Sequence, residues 1–236
     1  VDANGLPKIS TTNKTLGKFT PDWTGGISNT FSYRSLSLSF LIDASVGGSI
    51  FSNTNKTGKY TGVLANTLSG RDAEHGGLWY YTDAMGNNVR LPESPSYSVS
   101  SDGLYYAQVN GQSTRVYQDG IMVEGVTESG SKNEEVVSAE KYYHRIYSIA
   151  EANVYDASYV KLREVALSYR LPRLWTQKLH LQEASVTLTG RNLWTIYKSV
   201  PNIDPESALT TGNAQGVEAY SLPTTRSFGV NLSVKF

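Results

Sequence analysis

The residues best suited to chemistry are two carboxylates set two positions apart, Asp204-Pro205-Glu206. Two acidic side chains flanking a sugar linkage hydrolyse it, one as acid and the other as base or nucleophile. Here a proline stiffens the step between them and they fall in a predicted loop, which favours a structural turn. His75-Gly76-Gly77 is part of an oxyanion-hole pattern, but no G-x-S-x-G elbow accompanies it. His75, His144 and His180 lack the H-E-x-x-H spacing of a zinc site, and neither G-x-G-x-x-G nor a Walker loop occurs. Asp83, Asn87 and Asn88 lack the spacing of an EF-hand loop. The chain has no cysteine, which excludes disulfides, thiolate zinc sites, Fe–S clusters and cysteine nucleophiles. No catalytic constellation, metal site or cofactor is expected, so the chain is not read as an enzyme. Trp79-Tyr80-Tyr81 and Tyr105-Tyr106 remain as binding candidates. Their faces suit sugar rings or peptide side chains, and suit a small local core equally well.

The elements that would carry such residues are strands. Phe228, Val230, Leu232, Val234 and Phe236 alternate with Ser227, Gly229, Asn231, Ser233 and Lys235. Period two without a break is strand periodicity. Leu36, Leu38, Phe40, Ile42, Ala44 and Val46 alternate in the same way, with Leu41 the exception, and Val186 and Leu188 repeat the pattern. Five strands are predicted: 23–33, 36–46, 158–169, 184–196 and 226–236. The third changes phase near Arg163-Glu164, which predicts a bulge. Soluble strands average about 5–6 residues, whereas strands crossing a membrane need about 9–11. Length and alternation together give an all-β, transmembrane antiparallel β-barrel segment. A long-stranded soluble sandwich, secreted and binding carbohydrate through its aromatics, is the alternative with the same alternation.

Connections between these strands alternate short and long. Arg34-Ser35 and 170–183 are short; 47–157 and 197–225 are long. An up-and-down membrane barrel has short periplasmic turns and long external loops. That topology puts 1–22, 47–157 and 197–225 outside and Phe236 at the periplasmic end. The 47–157 stretch is too long to lack order of its own. A helix is predicted over 134–148, with capping-box spacing between Ser131 and Glu134. A shorter one is predicted between Gly62 and Gly70. Five strands are too few to close a barrel, since the smallest natural membrane barrels have eight. The remaining strands must lie upstream of Val1 or on another chain.

Composition agrees. The 236 residues carry 21 basic and 21 acidic side chains, so the net charge is zero and no basic surface for nucleic acid is expected. Charged residues make up 18%, below the usual ~25%, and no apolar run reaches the ~18 residues of a membrane helix. The opening Val1-Asp2-Ala3-Asn4-Gly5-Leu6-Pro7 has no initiator Met and no secretory leader, and reads as the middle of a longer chain.

Five stretches in order resemble one family. Gly17-Lys18-Phe19-Thr20-Pro21-Asp22-Trp23-Thr24-Gly25-Gly26 resembles its entry into a late barrel strand. Ser158-Tyr159-Val160-Lys161-Leu162-Arg163-Glu164-Val165-Ala166-Leu167-Ser168-Tyr169, followed by Leu171-Pro172, resembles its "SYVKLREVSLSY–LP" strand. Gly190-Arg191-Asn192-Leu193-Trp194-Thr195 resembles "GRNLFT", and Asn202-Ile203-Asp204-Pro205-Glu206 resembles "GxDPE". Leu222-Pro223-Thr224-Thr225-Arg226-Ser227-Phe228-Gly229-Val230-Asn231-Leu232 resembles the closing "P–TRSFGVNL" strand. On these motifs the chain resembles the C-terminal barrel portion of the SusC/RagA-type TonB-dependent outer-membrane transporters of the Bacteroidota. The resemblance implies about five C-terminal strands of a barrel of about 22 strands, blocked by a plug. It implies as partners the rest of the same transporter, with its plug and N-terminal strands, and membrane lipid. A SusD-like surface lipoprotein acting as a lid, and TonB reached through a segment absent here, complete the set. Oligosaccharide cargo, or oligopeptide in some members, is expected, and the location is the outer membrane.

On this reading Leu36, Leu38, Phe40, Ile42, Val186, Leu188, Phe228, Val230, Leu232 and Val234 face lipid. Phe236, a terminal aromatic on an alternating strand, is the expected barrel-assembly signal. About half of Trp23, Tyr33, Tyr159, Tyr169, Trp175, Trp194 and Tyr197 belong to interfacial girdles. Trp79, Tyr80, Tyr81, Tyr105 and Tyr106 are the candidate contacts to substrate or lid.

Overall fold

A computed structural model of the chain describes residues 1–178, 180–208, 212 and 215–236. The elements begin with β1 (Trp23–Tyr33), β2 (Leu36–Val46), β3 (Ser49–Ser52) and helix α1 (Asn53–Thr61). Six strands follow: β4 (Leu78–Thr82), β5 (Asn88–Arg90), β6 (Tyr97–Val99), β7 (Tyr105–Val109), β8 (Gln112–Ile121) and β9 (Val137–Ser138). Then come α2 (Ala139–Ser148), β10 (Val154–Asp156), β11 (Tyr159–Arg170), α3 (Arg173–Lys178), β12 (Glu183–Lys198), β13 (Val217–Glu218) and β14 (Ser227–Lys235). They form two compact units, one of Val1–Thr15 and Asn55–Asn153, the other of Leu16–Thr54 and Val154–Phe236.

The second unit is built on an open antiparallel sheet in the order β1-β2-β11-β12-β14. β1 and β2 are joined by Arg34 and Ser35, and Arg34 takes a left-handed φ of 54°, a conformation tight two-residue hairpins require. β11 and β12 are joined at the same end through α3. The two long connections, from β2 to β11 and from β12 to β14, leave from the opposite end. There a small sheet, β10-β3-β13, forms with β13 parallel to β3. Ile50, Val200 and Ile203 are its buried core, with Tyr155 and Ala157 packed on them. The register of β11 against β2 slips between Leu162 and Glu164, leaving Arg163 as the extra residue of a bulge, where the phase change predicts one.

The first unit holds a sheet in the order β5-β4-β8-β7-β6, with β9 added beside β8. Trp79, Ala107 and Val116 are its buried core, and Tyr81, Leu91, Tyr105 and Val109 pack against them. The stretch expected to carry short helices therefore carries mainly a sheet. The helix expected over 134–148 begins only at Ala139, capped by the Ser138 hydroxyl, which accepts from the Lys141 amide at 3.3 Å. Val136 and Val137 are buried and Val137 pairs with Ile121, so two adjacent β-branched residues extend instead of coiling. Of the helix expected between Gly62 and Gly70 only a 3₁₀ turn, Ala65–Thr67, forms, and Val63 and Leu68 point to solvent.

Candidate functional site

Cross-strand register sorts the side chains of the five-stranded sheet onto two faces. One row reads Phe31, Leu38, Leu167, Leu188 and Val230 across all five strands. The next reads Tyr33, Leu36, Tyr169, Val186 and Leu232. Asn29, Phe40, Val165, Gly190 and Phe228 form a third, in which Asn29 is the one polar side chain, and the Phe31 and Phe40 rings lie 6.2 Å apart on that face. Ile42 stands opposite Ile27 and Leu162, and Val234 opposite Ala184. All ten residues expected to face lipid thus share one face. Phe40, Ile42 and Val186 are half-buried by their neighbours and the other seven lie open, with Val230 73% and Phe228 80% exposed. Phe236, beyond the end of β14, is exposed as well. A soluble sandwich would bury such a face under a second sheet.

The opposite face is hydroxylic. Its rows read Ser32, Ser37, Ser168, Thr187 and Asn231, then Thr30, Ser39, Ala166, Thr189 and Gly229. Thr187 donates to the Ser168 hydroxyl at 3.0 Å, and Arg191 pairs with Glu164 at 2.9 Å. Alternation in the sequence thus becomes one apolar and one polar surface because side-chain period two is preserved strand to strand.

Where the long connections gather, charge is buried. Lys161, whose side chain is 3% exposed, donates to Asp204 at 2.5 Å and to Glu206 at 2.6 Å. Arg163, turned out of register by the bulge, donates to Asp43 at 2.7 Å and clamps Glu206 with both terminal nitrogens. Tyr159 adds its hydroxyl to Glu206 at 2.9 Å, and the Thr224 hydroxyl donates to Asp204 at 2.5 Å. Burial alone would raise the Asp204 carboxyl. Hydrogen bonds from Lys161 and Thr224 outweigh it and bring the pKa down to about 2. Burial also works against Glu206, and its bonds from Arg163, Lys161 and Tyr159 prevail, so its pKa lies below the usual carboxylate value. Neither group is a proton donor near neutrality, so the acid a glycosidase needs is missing from this pair. Asp204 and Glu206 instead fasten the β12–β14 connection to β11 and β2.

A second buried carboxylate does similar work. Glu218, fully buried, accepts from the Ser52 hydroxyl at 2.8 Å, the Thr54 hydroxyl at 2.6 Å and the Ser221 amide at 3.2 Å. These bonds hold β13 beside β3. Sequence reasoning found Asp204 and Glu206 but missed Lys161, Arg163, Asp43 and Glu218. The phase change at Arg163-Glu164 was the one available signal.

The candidate aromatics lie in the first unit. Trp79 and Tyr80 are buried, while Tyr81, Tyr105 and Tyr106 are half-buried. The Trp79 ring meets Tyr97 at 5.1 Å and Tyr105 edge-on at 5.8 Å, and Tyr80 stacks on Tyr117 at 5.1 Å. Tyr80 also donates to Asp119 at 3.2 Å. Of the girdle candidates on the open sheet, Trp23, Tyr33, Tyr169, Trp194 and Tyr197 are exposed, and Tyr159 is drawn into the ion pairs. Trp23 folds back over Gly25, where the indole leaves no room for a Cβ.

No protein-family model matches the chain. It is 25% identical over 242 aligned residues to TonB-dependent receptor P3 of Formosa agariphila, an alignment covering 100% of this chain and 18% of the receptor. The chain thus spans about a fifth of that relative's length. Similar solved structures include the RagAB peptide importer in its closed-closed state, with TM-score 0.49 and 17% identity, covering 97% of this chain and 19% of that one. The open-open state gives TM-score 0.44 and 17% identity, covering 92% and 17%. Along its entire length the chain is thus similar to part of a TonB-dependent receptor, the class its motifs resemble, and its large sheet is open and antiparallel, with five strands among the described residues.

Proposed function

We propose that the chain forms part of the wall of a TonB-dependent outer-membrane importer of oligomeric nutrients, glycans or oligopeptides. The observation that carries this is the largely apolar face running through five strands, interrupted at Asn29 and left open, with a hydroxylic face behind it. Lipid is the solvent such a face requires, and water or a polar plug suits the other. β1 and β2 each have 11 residues. Tilted by roughly 40°, at about 3.3 Å per residue, they span about 25 Å, the height of the apolar band of an outer-membrane barrel.

On this reading Leu36, Leu38, Phe40, Ile42, Val186, Leu188, Phe228, Val230, Leu232 and Val234 meet acyl chains. The end holding the buried ion pairs and the long connections faces outward, toward cargo and a SusD-like lipoprotein lid. Phe236 is the residue read by the barrel-assembly machinery. TonB acts through a part of the receptor outside this chain, and the setting is the outer membrane of a member of the Bacteroidota. Aromatics of the first unit act chiefly through Tyr81, Tyr105 and Tyr106, whose rings retain open surface. The test is extraction of the intact receptor followed by native mass spectrometry. Release only by detergent, with a lipoprotein travelling alongside, is expected. A receptor that stays monodisperse in detergent-free buffer refutes the reading.

A further inference from the structure

Beside the ion pairs, and within the second unit, lies a separate cavity of about 350 Å³. Most of its lining residues are polar, with Ile203, Pro205 and Pro223 adding apolar surface. The Thr195 and Ser221 hydroxyls and the Arg226 guanidinium have no partner among the described residues. Lys198 uses one ammonium proton on the Ile203 carbonyl at 2.7 Å and keeps two. Asp204 also borders the cavity, but its charge is already met by Lys161 at 2.5 Å and by Thr224. Two cations thus face one compensated anion.

We infer that this cavity is a binding subsite for a carboxylate group carried on a polar ligand. Arg226 would take the two oxygens side by side, which the guanidinium fork is shaped to do, and Lys198 would add a point charge. The hydroxyls of Thr195 and Ser221 would meet neighbouring hydroxyl or amide groups of the same ligand. A cavity of this volume is at the small end of ligand sites, enough for one charged residue of an oligomer and not for the whole of it. Acidic sugar units and acidic peptide side chains share this chemistry. The inference rests on the importer reading only for the ligand's being cargo; anion binding at Arg226 stands or falls by itself.

The test titrates the intact receptor in detergent with tri-galacturonic acid and with an uncharged galactose trisaccharide. Acetylated, amidated tri-glutamate and tri-alanine form the second pair. In at least one pair the acidic member is expected to bind about tenfold more tightly than its neutral counterpart at low salt. Arg226→Gln should abolish that preference and Arg226→Lys should keep part of it. A preference in the sugar pair alone identifies an acidic glycan, and in the peptide pair alone an acidic peptide; either supports the subsite. No preference in either pair, or one that survives Arg226→Gln, overturns it. The heat-modifiable gel shift of the folded barrel checks each variant, and Thr195→Ala gives a second, milder readout if Arg226→Gln does not fold. Solubility without detergent would refute the importer wall while leaving the anion preference measurable.

Discussion

Lys161 sits between two carboxylates with almost no access to water, so its removal is expected to cost more than its bonds contribute. A charge stripped of its partner in a buried pair costs about 3–5 kcal/mol. Lys161→Met should therefore loosen the 199–208 stretch, read as lost amide protection in hydrogen exchange. Arg163→Gln should do less, since Lys161 still meets Glu206 and the Arg163 side chain is more accessible. The depressed pKa of Asp204 sets a pH dependence. Its contribution is complete above the ordinary carboxylate value of 3.8 and is lost as pH falls through about 2. Protection of the same amides should hold steady from pH 7 to about 5 and fall between about 4 and 2. Asp204→Asn should remove that acid limb; a limb unchanged in the variant would assign it elsewhere.

At the scale of elements, β14 offers the cleanest contrast, because Val230 and Asn231 are neighbours on opposite faces. Val230→Arg should destabilise the folded barrel by about 2–4 kcal/mol if the residue lies near the bilayer midplane. Asn231→Arg, on the hydroxylic face, should change it little. Urea unfolding in lipid vesicles measures both, and equal effects would refute the assignment of faces. In the first unit, Ser138 caps α2. Ser138→Ala should cost about 1 kcal/mol, seen as faster exchange in the first turn of that helix.

For the molecule as a whole, the open edges matter most. β1 and β14 each have one neighbour among the described residues, so two rows of backbone N–H and C=O groups await partners. In hydrocarbon each unmet group costs several kcal/mol, so the proposed place in a barrel wall requires further strands to close these edges. Refolded alone in detergent, the 236-residue chain should give no heat-modifiable monomer band, whereas the intact receptor should give one. A folded monomer from the short chain would contradict the barrel-segment reading.

What the sequence by itself determined was the framework of the large sheet. Side-chain period two is a property of the extended backbone, so alternation in 36–46 and 226–236 locates strands and sorts their faces without further information. The tight link Arg34-Ser35 and the phase change near Arg163 were legible for the same local reason. The six strands of the first unit were not, because most are 3–5 residues long, and β8 gains its fully buried residue, Val116, only from neighbours across the sheet. The helix start moved from Glu134 to Ala139 because Val137 found Ile121, a partner sixteen positions away. The buried ion pairs belong wholly to tertiary structure. Asp204-Pro205-Glu206 reads as a turn or a hydrolytic pair until Lys161, Arg163 and Asp43 are brought to it across more than 40 residues of chain. Charge compensation depends on distance in space, which no spacing along the chain records.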